Sequence, residues 1–140
     1  MKKLCVLLML LALGAWAADE LQLTVGWQYN KNDRKRILSP AADKFDVSGN
    51  GVVENVQTIS TNATGDALIL GGVVTPGFAW FHNTDTSRVV TVGSYDVNTN
   101  FLGFLELRAG QKAACWLSTT APRARATAAA VKLDYIIVDR

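Results

Sequence analysis

From Leu21 to Asn30 the side chains take turns. Leu21, Leu23, Val25, Trp27 and Tyr29 are apolar or aromatic, and every residue between them is polar or glycine. Period-two alternation over ten residues suits extended backbone with one face in a core, because a helix would scatter those apolar groups around its axis. The same alternation, bounded by turn residues, predicts further strands at 44–48, 52–60, 67–70, 77–82, 88–95, 101–108, 112–118 and 130–138. Gly49-Asn50-Gly51, Asn62 to Asp66, Gly71-Gly72, Asn83 to Ser87 and Ala109-Gly110-Gln111 punctuate them. Eight or nine short strands at roughly ten-residue spacing predict an all-β chain, a single antiparallel β-sandwich, jelly roll or small barrel. Residues 121–130 fit either an alanine-rich helix or, given Pro122 and the threonines, a loop entering the last strand.

The N-terminus reads differently. Met1-Lys2-Lys3 is basic, residues 4–13 are apolar, and Ala15 and Ala17 occupy the −3 and −1 positions of a cleavage site. That is the layout of a signal peptide-like leader over residues 1–17, helical in character and too short to span a bilayer comfortably. One domain, residues 18–140, is expected after it, with no stable membrane span once the leader is cleaved. Lys2 and Lys3 leave with the leader, which takes the 14 basic residues to 12 against 12 acidic ones. A near-neutral domain has no long-range field to draw in nucleic acid, so no nucleic-acid partner is expected. The one basic run, around Arg34, Lys35 and Arg36, reads as a solvated loop between strands or as a contact surface.

Leader removal leaves Cys115 as the only cysteine, so no intramolecular disulfide forms. Residues 101–108 and 112–118 read as a hairpin. In it Cys115 shares a strand face with Ala113 and Leu117, which makes it a core thiol with a raised pKa rather than a nucleophile.

Other apparent motifs are weak. Asp46, Ser48 and Asn50, with Gly51 in sixth position and Glu54 in ninth, imitate a calcium loop. Gln57 stands where that loop needs a bidentate carboxylate, and a glycine-rich turn explains the stretch equally well. These four residues are weak metal candidates, and no cofactor is expected. His82 has no second histidine to share a metal, Gly93-Ser94-Tyr95 lacks the second glycine of a nucleophile elbow, and the acidic residues are scattered. No catalytic residue is expected, and the chain reads as a non-enzyme. Trp116 is out of phase with Cys115, so Trp116, with Trp80, is a candidate contact surface: a protein interface, a sugar platform, or packing against a second sheet.

Several stretches, taken in order, carry a likeness: ELQLTV at 20–25, ILSP at 37–40, DVSGNGVVENVQTIST at 46–61 and GDALILGGVVTPGFAWFHNTD at 65–85. VVTVGSYD at 89–96, FLELRAGQKAACWL at 104–117 and AVKLDYIIVD at 130–139 complete it. Together they resemble small virion-associated structural proteins of tailed phages and prophages. The likeness spans residues 19–140 and is most specific at Thr75-Pro76-Gly77-Phe78, Asn83-Thr84-Asp85, residues 107–111 and the closing strand. It implies a β-sandwich or jelly-roll module that decorates a capsid or joins a tail or fibre. Its partners would be other copies of itself or other virion structural proteins, and no active-site residues carry over. The location implied is the virion if the chain is phage-encoded, and otherwise an exported, periplasmic or extracellular one. The alternative reading is an exported carbohydrate-binding β-sandwich module that uses Trp80 or Trp116.

Overall fold

Extended backbone accounts for every regular element among the described residues, which in this computed structural model are 21–24, 26–31, 34–38, 41, 43–45, 47 and 49–140. The leader, and the helix expected in it, lie outside them. The described residues hold twelve strands, more than the eight or nine that alternation predicts. The chain divides into two compact units, residues 1–47 and 48–140.

In the first unit the expected strand over 21–30 is two strands with different partners. β1 (Leu21–Leu23) pairs antiparallel with β4 (Asp43–Phe45), Leu21 opposite Phe45. β2 (Trp27–Lys31) pairs antiparallel with β3 (Arg34–Leu38), Lys31 opposite Arg34. Exposed Gly26, which weakens a strand interior, lies between β1 and β2. The basic run expected as a loop is instead the start of β3, one strand of a two-stranded hairpin.

The second unit holds β5 (Val52–Ile59), β6 (Asp66–Ala67), β7 (Pro76–Asn83), β8 (Val90–Tyr95), β9 (Phe101–Leu107), β10 (Lys112–Trp116), β11 (Arg123–Ala126) and β12 (Val131–Asp139). They form two antiparallel four-stranded sheets, in the orders β10-β7-β12-β5 and β6-β11-β8-β9. The pairings nest: β8 with β9, β7 with β10, β6 with β11 and β5 with β12. The chain is thus doubled back on itself at the turn after Tyr95, and the doubled ribbon is split between two sheets. Every connection except β8–β9 passes from one sheet to the other.

That nesting overturns two local expectations. β9 and β10 are not a hairpin, because β9 pairs with β8 in one sheet and β10 with β7 in the other. A tight turn changes sheets between them: Gln111 N donates to Arg108 O (3.0 Å), Arg108 N donates to Gln111 Oε1 (2.7 Å), and Gly110 adopts φ +71°. Only glycine takes that left-handed conformation without strain. Residues 121–130, read as helix or loop, contain β11 instead, held between β6 and β8. Its Ala124 and Ala126 are buried, so pairing on both edges overrides the helix preference of alanine.

Alternation sets the core. In the first sheet the odd-numbered residues face inward, among them Ile59, Phe81, Leu133, Tyr135 and Ile137. They join Val90, Val92, Leu107, Ala124 and Ala126 of the other sheet in one apolar cluster. Burying each larger aliphatic or aromatic side chain contributes about 1.5–3 kcal/mol. Two polar groups sit within this core fully bonded. The amide of buried Asn83 donates to Arg88 O (2.8 Å) and Leu107 O (3.0 Å), which ties the end of β7 to β9 across the sheets. The Tyr135 hydroxyl accepts from Ile69 N (3.0 Å) and Asn55 Nδ2 (3.1 Å) and lies 2.9 Å from Gln57 Oε1, which fastens β12 to β5 and to the segment after β6. Burial pushes its phenol pKa up.

Candidate functional site

Even-numbered residues of the first sheet point the other way, and there the pattern departs from a solvated face. Register aligns them in three rows across β10, β7, β12 and β5. Trp116, Phe78, Val138 and Val52 make one row, and Ala114, Trp80, Ile136 and Glu54 the next. Lys112, His82, Asp134 and Val56 make the third. Val52 is 63% exposed, Val56 58% and Trp116 51%. The Trp116 ring stands edge-on to Phe78, centroids 5.7 Å apart, and Trp80 tilts against His82 at 5.9 Å. His82 Nδ1 is 3.9 Å from Asp134 Oδ2. An antiparallel sheet usually alternates apolar-in with polar-out, so an outer face this apolar is unusual.

The structure therefore brings the two singled-out tryptophans, Trp80 and Trp116, onto one face. Arg34, Lys35 and Arg36 belong to β3 in the other unit. Of the weak metal candidates, Asp46 and Ser48 fall outside the described residues. Asn50 is exposed, and Glu54 points outward from β5 opposite Ile136. Among the described residues no three His, Cys, Asp or Glu side chains are grouped to hold a metal ion. The glycines beside them answer to Asp139, about ninety residues away. A Cβ on Gly49 would run into the Asp139 side chain, and one on Gly51 would sit 2.8 Å from its Oδ2. That buried carboxylate accepts from Val74 N (3.0 Å) and Thr75 N (2.6 Å), while Asp139 N donates to Gly51 O (2.8 Å).

Cys115 is half-buried against the core, and burial pushes its thiol pKa up. His82 points from the opposite face of the same sheet, so the two are on different sides of it. Ser94 lies within β8, opposite Leu102 and just past a register shift between Val92 and Gly93, rather than at a strand-to-helix turn. Asp85 accepts from Ser87 N and Arg88 N, both at 2.8 Å, and these amides lower its pKa. Asp96 is lowered chiefly by the side chain and backbone amide of Asn100. Both carboxylates close turns.

Sequence reading missed Arg123 and Arg125, because residues 121–130 looked like helix or loop. The Arg-Ala-Arg-Ala alternation was the available signal. Both arginines stand on the outer face of the second sheet. No protein-family profile, no curated protein and no solved structure matches the chain.

Proposed function

We propose that the protein is a non-enzymatic assembly module, a β-sandwich of jelly-roll type, that joins a second copy of itself through the outer face of the β10-β7-β12-β5 sheet. The nested order supports the jelly-roll reading. Counted along residues 48–140, the strands run first-eighth-third-sixth in one sheet and second-seventh-fourth-fifth in the other. That is the winding of a ribbon hairpin into two Greek keys, an architecture common in capsid and lectin domains. One apolar cluster shared by both sheets supports the two-layer packing.

The observation that carries the functional reading is the apolar outer face with both tryptophans on it. A second copy fits the centre of this face, with Glu54 and Lys112 left on its outer strands. A twofold axis along the strands between β7 and β12 sets each row against itself reversed, which is the self-complementarity of an isologous contact. His82 then faces Asp134 of the second copy, Trp80 faces Ile136, and Trp116 faces Val52. Three strands of eight or nine residues and one of five present roughly 500 Å² a side, or about 1,000 Å² for the pair, the lower bound of a specific interface. A virion surface or tail-associated setting is the part of this proposal that rests only on the likeness of residues 19–140 to virion-associated structural proteins.

Size-exclusion chromatography with light scattering tests the self-association: a dimer is expected for the full chain and a monomer for Trp116→Lys. Mass spectrometry of purified particles tests the virion role, and its absence from particles would remove that part. The second reading, a carbohydrate-binding module, draws on the same two tryptophans. Tryptophan fluorescence unmoved by any of a glycan panel would remove it.

A further inference from the structure

The outer face of the second sheet carries two cations that no carboxylate neutralises among the described residues. Arg123 and Arg125 are two residues apart on β11, so both project from one face with Cα atoms roughly 7 Å apart. Each guanidinium lies over a ring: Arg123 Cζ is 4.1 Å from the Tyr95 centroid and Arg125 Cζ is 4.9 Å from that of Phe101. The loop before β6 steadies them. Arg123 Nε donates to Thr64 O (3.0 Å), its Nη2 to Gly65 O (2.6 Å), and Arg125 Nη1 donates to Ala63 O (3.3 Å).

The sheet is shaped for this arrangement. The Phe101 ring crosses the outer face over positions that have no side chain. A Cβ at Gly65 or Gly93 would come within 2.9 Å and 2.8 Å of the ring. Among the described residues the nearby acids are engaged elsewhere: Glu106 lies 4.0 Å from Arg108, and Asp66 accepts from the Ser60 amide (2.5 Å) and hydroxyl (2.9 Å). Guanidiniums seated on rings and carbonyls lose little freedom when a ligand arrives, and each keeps N–H groups for a bidentate contact. The rings are already covered by the cations, so they serve as seats and not as stacking platforms for a sugar or a base.

We propose that Arg123 and Arg125 form a binding site for the sulfate or carboxylate groups of an acidic polysaccharide. Successive anionic groups of one chain meet the two guanidiniums, and the Thr91 hydroxyl and loop carbonyls beside them suit sugar hydroxyls. Nucleic acid is disfavoured, because two cations on a chain of 14 basic and 12 acidic residues supply neither a phosphate track nor a long-range field. The site lies on the sheet opposite the assembly face and stands independently of that reading.

The test is isothermal titration of the full chain with dextran sulfate, polygalacturonate and uncharged dextran. Binding to at least one charged chain and none to dextran is expected. Arg125→Gln should weaken it roughly tenfold or more, as loss of a charge-assisted bidentate contact does. Phe101→Leu, which keeps both charges but removes a seat, and Arg125→Lys, which keeps charge without the fork, should weaken it too. Lys132→Gln, an equal charge change at an exposed position on β12 of the other sheet, should leave it unchanged, and thermal melts establish that each variant is folded. The proposal is overturned by no binding to either charged chain, by equal binding to dextran, or by Lys132→Gln weakening binding as much as Arg125→Gln. Arg125→Lys and Phe101→Leu both binding like the wild type, or duplex DNA competing on equal terms with the charged chain, would overturn it as well.

Discussion

Two faces of the 48–140 unit turn away from its core, one on each sheet, and strand alternation builds both. On the first sheet the outward positions hold Trp80, Trp116, Val52, Val56, Ile136 and Val138, large apolar groups left partly in water. On the second they hold Arg123, Arg125, Thr91 and two glycines, roofed by a single phenylalanine ring. One face asks to be covered by something apolar, and the other presents fixed positive charge. The difference teaches that alternation specifies which residues are inside, while the outside is free to specialise. Here it specialises differently on each side of one shared cluster.

Removing the shared cluster should collapse the comparison altogether. Phe81, fully buried between the sheets, is the test: Phe81→Ala is expected to cost about 3–5 kcal/mol by chemical denaturation. A loss below 1 kcal/mol would mean that the two sheets do not depend on a common core. The next largest effect should isolate the second sheet. A Cβ on Gly93 would run into Leu102 O, so Gly93→Ala should destabilise by about 1–3 kcal/mol. Gly72→Ala, with nothing within 4 Å, should be close to neutral.

The first sheet has its own lever in Tyr135. Tyr135→Phe strands the Asn55 side chain and takes from the Ile69 amide one of its two acceptors, the other being Gln57 Oε1 (3.2 Å), and should cost about 1–2 kcal/mol. Its pH dependence follows from the raised phenol pKa. The unfolded chain releases this proton near the ordinary value of 10.0, while the folded chain holds it. Stability is therefore full below that pH and falls above it, and the fall should shrink in Tyr135→Phe. Denaturation midpoints on either side of that pH measure this. Smallest is the turn that joins β8 to β9. Thr99 sits at φ +63°, a left-handed conformation costly for a β-branched residue, so Thr99→Gly should raise stability by about 0.5–1 kcal/mol. A loss instead would mean that the strain is not released.

The strands of both sheets were legible where alternation used large side chains. β5, β7, β8 and β12 fall within two residues of the ranges that period-two spacing predicts. β11 was not legible, because its inward residues are Ala124 and Ala126, which carry little hydrophobic contrast and a helix preference. Partners were harder than strands. Residues 104–117 look like a hairpin because neighbours in sequence usually pair. Nesting around the β8–β9 turn sends the two strands to different sheets instead. The same limit hid the reason for Gly49 and Gly51, which answer to Asp139 at the far end of the ribbon. Trp116 was flagged by its phase against Cys115. Its grouping with Trp80, Val52 and Val56 needed the register.

Sedimentation velocity on the full chain, compared with Val56→Lys and Arg125→Gln, bears most directly on the contrast between the faces. Both substitutions are at positions outside the core, so folding should survive them. The expected result is a concentration-dependent dimer for the wild type and for Arg125→Gln, and a monomer for Val56→Lys. A wild type that stays monomeric at every concentration, or a Val56→Lys chain that sediments as the wild type does, would contradict the assignment of self-association to the apolar face.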